Sequence, residues 1–403
     1  IIPSCKGIEK NKNVMIGMNV LIDCPKGPRN TTMDYRHDKR VVMTLDAGGT
    51  NSVFTAIRGN EQILDEIVLP THADDLDKCL STLVEGFRQV KDRLQVAPVA
   101  VSFAFPGPAD YPNGIIGDLP NLPAFRGGIA LGPMLADKFG LPVFINNDGD
   151  LYAYGEAIAG FLPYVNGLLE NAGSPKRYKN LLGLTLGTGF GAGIARDGNV
   201  FLGDNSVAGE IWLLRNKLNP KTNIEEHVSI RALRRFYAHG SGIPEEEAPS
   251  PKEMFEIATG KAGGNKQAAI KAFREMAEAA GDAISNAVTL IDGLVVIGGG
   301  LSGASELFLP FIVEEMKSYY DKPDGSKLRR LIANIYNLED AGQLQKFLKG
   351  STKEISVPGS DKKVKYDPEM RLGVGISKIG TSKAISIGAY TFALNSIDKN
   401  AQL

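Results

Sequence analysis

Cysteine is scarce in this chain: Cys5, Cys24 and Cys79 are scattered over 403 residues with no Cys-x-x-Cys pair. Such a set supports neither a disulfide framework nor a thiolate metal site, and it fits a reducing cytoplasm. Histidine is nearly as rare. His37, His72, His227 and His239 stand mostly among polar neighbours, and no two have metal-ligand spacing, so surface or helix positions are expected for them. An excess of charge is lacking too. Forty-five basic and 46 acidic residues leave a net charge of −1, which gives no bulk attraction to nucleic acid or to an anionic membrane. No run of 18 apolar residues occurs, so no spanning helix is expected. Val14 to Ile22 is apolar and follows Lys6, Lys10 and Lys12, loosely like a secretory signal. However, Asp23-Cys24-Pro25 offers no small-x-small cleavage site. Residues 1–40 are therefore read as an N-terminal extension, with Met33 a candidate internal start.

What remains is an ordinary globular composition, 43% apolar and 23% charged, long enough for two domains with sizeable cores. The 46 glycines cluster in a few places, which suggests loops with a task rather than low complexity. The first cluster ends the apolar stretch Val41 to Leu45, in Asp46-Ala47-Gly48-Gly49-Thr50-Asn51. Glycines let a backbone turn tightly and approach a bulky anion. The N–H groups of such a turn, with a Thr hydroxyl, cradle phosphate oxygens. Asp46 at the strand end suits magnesium, directly or through its waters. The competing reading is an ordinary glycine turn.

Periodicity orders the rest. Ser52–Ile57 reads as a returning strand and Gln62–Leu69 as a third. Leu76, Cys79, Leu80, Leu83, Val84, Phe87, Val90 and Leu94 form one helical face. Val99–Phe105 and Leu141–Ile145 read as buried strands. Leu181–Leu186 then runs into Gly187-Thr188-Gly189-Phe190-Gly191, so the strand and glycine-turn opening occurs twice. Helices are predicted over 229–239, 267–291 and 306–319, with a buried strand 294–297 ending in Gly298-Gly299-Gly300. Residues 240–251 are read as a surface linker. Residues 334–366 are read as an insertion with a short helix at 341–348 and a hairpin around 358–363. The last helix, 382–395, is rich in small residues and suited to close packing. Two related α/β halves around a cleft follow.

Two glycine loops in corresponding halves are suited to gripping a triphosphate from both sides. Neither matches Gly-x-Gly-x-x-Gly or a Walker loop. Asn146-Asn147-Asp148 ends another strand. Asp148 is either a general base that takes a hydroxyl proton during phosphoryl transfer or a turn or helix-capping acid.

In this order the motifs resemble the sugar kinases of the actin, heat-shock-chaperone and hexokinase superfamily, and within it the ROK family. The matching residues are Leu45 to Asn51, Phe105 to Asp110, Leu119 to Leu122, Asn146 to Asp150 with Gly155-Glu156, Leu186 to Gly189, Gly209-Glu210 and Val296 to Gly300, with Ile385 to Ala389 near the end. The resemblance implies two actin-like (ribonuclease-H-like) α/β domains with an interdomain cleft. A small domain would comprise 41–155 plus 383–403 and a large one 156–382. It implies an ATP-dependent hexose kinase, most simply a glucose 6-kinase with Asp148 as base. An N-acetylhexosamine or other hexose kinase, a sugar-responsive regulator and a weakly catalytic relative are the alternatives. It further implies that Asp46 holds Mg2+ and that Gly48, Gly49, Thr50 and Asn51 with Gly187, Thr188 and Gly189 hold the ATP phosphates. Gly299 and Gly300 would lie near the adenosine. Asn121, Asn147, Asp148, Glu210 and Glu225 (with Glu226 as fallback) would bind the sugar. A cytoplasmic homodimer with no nucleic-acid or membrane partner completes the picture.

Departures from the family pattern bear on the sugar. Leu213 stands where many ROK proteins carry a His three residues after the Gly-Glu glutamate, and Arg215 to Asn223 holds no cysteine, so zinc is not expected. Asn51 stands where Lys is common and Asp150 where Asn is common. Trp212 is either core or pocket lining; an extended backbone there would point it the same way as Glu210.

Overall fold

The computed structural model describes residues 34–47, 50–107, 109–117 and 125–401. Gly48, Gly49, Asn121 and most of the N-terminal extension therefore lie outside the described residues.

The first sheet grows from β1 (Val42–Ala47), whose first four residues are buried, and β2 (Asn51–Arg58), which pairs with it antiparallel. Short strands β3 (Glu61–Gln62) and β4 (Ile67–Pro70) both pair with β2, so the single strand predicted over 62–69 is broken in the middle. β5 (Ala100–Ala104) joins the other side of β1 in parallel, and β6 (Val143–Asn146) joins β5 in parallel. β5 is buried at every position, as a parallel strand covered on both faces should be. Helix α1 (Leu76–Arg93) starts at Asp75, whose carboxylate accepts from the Lys78 N–H, and lays Leu83, Phe87 and Val90 on the sheet. Its Gly86 leaves room for the Phe54 ring, which meets Phe87 edge-on at 5.2 Å. α2 (Leu131–Phe139) leads into β6. Helices α3 (Asp148–Ile158) and α4 (Phe161–Asn171) then carry the chain to the second sheet.

The second sheet repeats the plan. β7 (Asn180–Leu186) and β8 (Phe190–Arg196) form an antiparallel pair extended by β9 (Asn199–Val200). β10 (Leu294–Gly298) adds in parallel to the free side of β7. Helices α5 (Ile230–Ser241), α6 (Pro251–Thr259), α7 (Lys266–Ile291) and α8 (Ser305–Met316) bury the large apolar core on this sheet. α8 stops three residues short of the predicted helix end, because Tyr319–Asp321 pairs with Lys327–Arg329 as an exposed hairpin. The segment 334–366 opens inside the fold: β11 (Asn334–Asn337) lies parallel to β12 (Arg371–Ile376), which pairs with β10. Helix α9 (Ala341–Lys349) and the exposed hairpin Lys353–Ser356 with Lys363–Tyr366 lie outside the main sheet, close to their predicted places. The resulting order, β9-β8-β7-β10-β12-β11, matches β3-β2-β1-β5-β6 with one strand added.

The last helix, α10 (Thr381–Asn400), crosses α3 and joins the two sheets. It packs Tyr390, Ala393 and Leu394 against Val42, Ile57 and Ala100 of the first sheet region. α3 lies on the second sheet, where Gly183 makes room for Ala153. The crossing is backbone on backbone. A Cβ at Gly155 would lie 1.8 Å from the Ala384 carbonyl oxygen, and one at Gly388 2.0 Å from that of Leu151. Among the described residues, no helix is long and apolar enough to cross a membrane.

Candidate active site

Strands β1, β5 and β6 end at Ala47, Ala104 and Asn146, and β7 and β10 end at Leu186 and Gly298. Ligands of open α/β sheets bind beyond such carboxyl ends. Asp46 sits at the exposed end of β1, beside the Thr50-Asn51 start of β2, which is exposed too.

Asn147 and Asp148 begin α3 at the end of β6. Asn147 is the helix cap: its side-chain oxygen accepts from the Gly149 N–H at 2.8 Å. Asp148 is thereby relieved of the capping role and becomes the first helical residue, although its own Oδ1 also accepts from Gly149 at 2.8 Å. Asp148 opens to solvent at the site, yet protein surrounds the carboxyl on its other sides. That desolvation pushes it above the usual carboxylate range, and the charge of Asp46 adds to the rise; hydrogen bonds from backbone N–H groups oppose it. Asp46 and Asp148, 102 positions apart in sequence, are thus electrostatic neighbours. Tyr111, which sequence reasoning missed, is buried near Asn147 and Asp148. Its hydroxyl donates to the Phe105 carbonyl at 3.0 Å, its side chain also bonds Asn147, and burial raises it well above an ordinary phenol. Its one sequence signal is its place directly after the Pro-Gly-Pro-Ala-Asp motif.

The second glycine loop is built by three segments. The Gly187 N–H donates to the Gly189 carbonyl at 3.0 Å, and the Gly187 carbonyl accepts from the Ile230 N–H at the start of α5 at 2.9 Å. Ser229 caps that helix. Glu225 Oε2 accepts from the Phe190 N–H at 3.0 Å, and a Cβ at Gly189 would meet that oxygen at 2.5 Å, so a larger residue there would push the Glu225 carboxylate aside. Glu226 pairs with Arg231 at 3.1 Å and with Arg235 at 3.6 Å; Glu225 lies 4.0 Å from the same Arg231, and it is its bond to the Phe190 N–H of the glycine loop that sets it apart. The Gly299-Gly300 turn sits directly on β7. The Leu301 N–H donates to the Leu186 carbonyl at 3.0 Å, Gly299 has φ +86°, and a Cβ there would lie 2.3 Å from the Leu186 oxygen. Thr381, first residue of α10 and also missed, accepts from the Gly299 N–H at 2.8 Å.

Glu210 precedes a 3-10 turn, Ile211–Leu213, rather than extended chain. The expected alternation is therefore absent. Trp212 is half-buried against the core of the second sheet, and its indole N–H curls back to donate to Glu210 Oε2. Leu213 is 58% exposed. Glu156, of the Gly-Glu pair, is fully buried and raised by burial; it accepts from the Phe161 N–H at the start of α4 and from the Ser377 hydroxyl. It therefore ties α3 to α4 and to the chain after β12.

A family model described as the ROK family matches residues 42–342. The chain belongs to the ROK family. A glucokinase from Parabacteroides distasonis is 57% identical, with a TM-score of 0.82 over 90% of this chain and 99% of that one. An N-acetyl-D-glucosamine kinase from Photobacterium profundum is 32% identical over 284 residues, 66% of this chain and 85% of its own length. A ROK family glucokinase from Streptomyces griseus, solved with glucose and AMPPNP, shares the fold at a TM-score of 0.55 and 19% identity, over 87% of this chain and 98% of that one. The paired sheets are thus the two-domain actin-like fold of ROK sugar kinases.

Proposed function

We propose that this chain is an ATP-dependent hexose kinase whose acceptor is glucose, phosphorylated at the 6-hydroxyl. The observation that carries the reading is the placement of Asp46 and of the Asn146-Asn147-Asp148 turn at the carboxyl ends of β1 and β6, in register across Ala104 of β5. The 57% identity to a glucokinase supports glucose as the sugar.

Asn147, Glu210 and Glu225 hold sugar hydroxyls, with Asn121, which lies outside the described residues, as a further expected contact. The Thr50 hydroxyl and the Gly187-Thr188-Gly189 loop hold the phosphates, joined by Gly48, Gly49 and Asn51. Gly299 and Gly300 lie beside the adenosine. As the sugar oxygen attacks, Asp148 takes its proton. A bond forms from O6 to the γ-phosphorus, the bond from that phosphorus to the bridging oxygen breaks, and ADP leaves. An exposed carboxylate among oxygen donors fits Mg2+, which needs one or two carboxylates and keeps several waters. Asp46 would hold it, and when bound it neutralises phosphate charge.

Residues 41–155 with 383–403 form the smaller lobe and 156–382 the larger. Closure about the α3–α10 crossing excludes water from the transfer. The enzyme works in the cytoplasm as a homodimer. Light scattering tests the dimer.

ADP release measured across a panel of hexoses tests the function. Glucose should give the highest kcat/KM. If no sugar stimulates turnover, the proposal fails. A preference for N-acetyl-D-glucosamine would select the second reading, which the Photobacterium relative supports. In the same assay, Asp46→Ala should lower kcat by about 10²–10³-fold and raise the Mg2+ concentration needed for half-maximal rate.

A further inference from the structure

Helix α10 begins without the usual side-chain cap. Gly380 stands at the capping position with φ +83°, where Ser, Thr, Asn or Asp would accept from the first turn. The hydroxyl of Thr381, the first helical residue, serves a different segment. It accepts from the Gly299 N–H at 2.8 Å, 82 positions away in sequence. A backbone N–H can only donate, so Thr381 Oγ1 is the acceptor. The Gly299 carbonyl is taken as well, by the Ser302 N–H at 3.0 Å. Both polar groups of Gly299 are therefore committed within the protein. Gly300 is the residue that faces open space: a Cβ there would meet nothing within 4 Å among the described residues. A Cβ at Gly187 would lie 3.8 Å from the Gly300 nitrogen, so the turn after β10 and the glycine loop after β7 meet at that point.

The start of α10 is itself held from α3. The Gly380 N–H donates to Ser377 Oγ at 2.9 Å, and the Ser377 N–H donates to the Ile297 carbonyl of β10 at 3.0 Å. Because Ser377 Oγ accepts from Gly380, its own hydrogen is free to go to Glu156. Glu156 takes that hydrogen on Oε1 and the Phe161 N–H, at 2.7 Å, on Oε2. Glu156 is fully buried, so each of these donors answers a carboxyl oxygen that water does not reach. Asp148, Tyr152 and Glu156 follow one another at four-residue spacing, which puts them along one stripe of α3. Tyr152 closes the same corner. A Cβ at Gly298 would lie 2.6 Å from the Tyr152 hydroxyl and 2.9 Å from Thr381 Oγ1, so both hydroxyls press on the end of β10.

We propose that Thr381 is a positioning residue for the nucleotide: its hydroxyl fixes the Gly299 amide, and with it the Gly299-Gly300 turn, against the glycine loop at 187–189, while Ser377 and Glu156 fix Thr381. This rests on the reading of Gly299 and Gly300 as neighbours of the adenosine. Gly299 has φ +86°, and glycine populates positive and negative φ about equally, so the turn needs an outside hold to keep one shape. Thr381 supplies that hold at the amide. Without it the Gly299 N–H turns toward another partner, and Gly300 leaves its place beside Gly187. The same seat joins the nucleotide turn to the helix whose first turn carries Asp148. One pair of helices, α3 and α10, then sets both the phosphate donor and the base.

The KM for ATP and the KM for glucose, measured with kcat in Thr381→Val, Thr381→Ser, Ser377→Ala and Gly300→Ala, test the proposal. Val keeps the size and the methyl of Thr and loses the acceptor; Ser keeps the acceptor and loses the methyl. Thr381→Val should raise the ATP KM about tenfold, the cost of a lost hydrogen bond with its donor left unpaired. The glucose KM should stay within about twofold. Thr381→Ser should hold the wild-type ATP KM. A packing role predicts the reverse order, Ser impaired and Val not, and that result overturns the proposal. So does a loss in Thr381→Val that falls equally on ATP and glucose. Ser377→Ala should raise the ATP KM in the same direction and add little on top of Thr381→Val; full additivity of the two overturns the link through Ser377. Gly300→Ala adds a methyl where the described chain leaves room, so it probes the adenosine reading by itself. An ATP KM raised by Gly300→Ala and not by Thr381→Val overturns Thr381 alone. No change in either variant overturns the placement of the adenosine beside this turn, and the proposal with it. If Thr381→Val does not fold, Thr381→Ala, which only removes atoms, takes its place against Thr381→Ser.

Discussion

Asp148→Asn is expected to lower kcat by about 10³-fold while leaving the glucose KM within a few-fold. Positioned general bases contribute on the order of 10²–10⁴. Asn keeps a side-chain oxygen that can accept from the Gly149 N–H, as Asp148 does at 2.8 Å, so the turn and the sugar contact survive. The α3 cap survives as well, since Asn147 supplies it. The pH dependence carries a second signature. A base must be ionised to work, and burial followed by Asp46 raises the Asp148 carboxyl above its ordinary value. Wild-type kcat should therefore fall as pH drops, with its midpoint higher than the ordinary Asp value of about 4. The variant should lack that limb. Rapid-quench measurement of the first turnover checks that the loss lies in the phosphoryl step rather than in product release. A variant retaining more than about a tenth of wild-type kcat would mean that Asp148 is not the base.

Much of this fold was legible because the core imposes period. α1 and α7 announce themselves through apolar spacing, and β1, β5 and β10 through short buried runs. The repeat of strand and glycine turn was readable as two related halves, which the matching sheet orders bear out. The elements that escaped have physical reasons. β12 reads Arg-Leu-Gly-Val-Gly-Ile, a poor strand by propensity. Its Arg371 is buried against Asp367 at 2.5 Å, and Gly373 and Gly375 make room for Leu338 and Phe161. Leu338 and Phe161 are both distant in sequence. β11 alternates buried and half-buried residues over only four positions, too few to set a period. α6 hid behind Pro251, read as a linker end. Ser250 and Glu253 form a capping box there, and proline at the first helical position is a start signal. At the site, glycine loops and strand-end acids were visible as motifs. The Trp212–Glu210 bond was not, since it depends on how the turn after Gly209 lies on β8.

Gly155→Val is the substitution expected to damage the fold most. Gly155 lies where α3 crosses α10, and a Cβ there would sit 1.8 Å from the Ala384 carbonyl oxygen and 2.6 Å from its carbon. Both obstacles are helix backbone, so no side chain can swing aside; the helices must separate. Overpacking costs about 1–3 kcal/mol when neighbours can adjust, and here the upper end or more is expected. The control is Gly167→Ala, in the middle of α4. A Cβ there meets nothing within 4 Å, so the better helix former should stabilise by up to about 1 kcal/mol. Urea denaturation of the two variants should move in opposite directions. The crossing also reaches the chemistry. α3 carries Asn147, Asp148 and Asp150 at its first turn, while α10 grips β1 and β5 through Tyr390, Ala393 and Leu394 and holds the Gly299 turn through Thr381. Forcing the helices apart therefore moves Asp148 relative to both Asp46 and the second glycine loop. The milder Gly155→Ala, if it folds, should lose kcat beyond what its unfolded fraction explains, because a displacement of about 1 Å at the reacting atoms costs on the order of 10²-fold. If Gly155→Ala keeps wild-type kcat per folded molecule, the α3–α10 crossing does not set the geometry of the site.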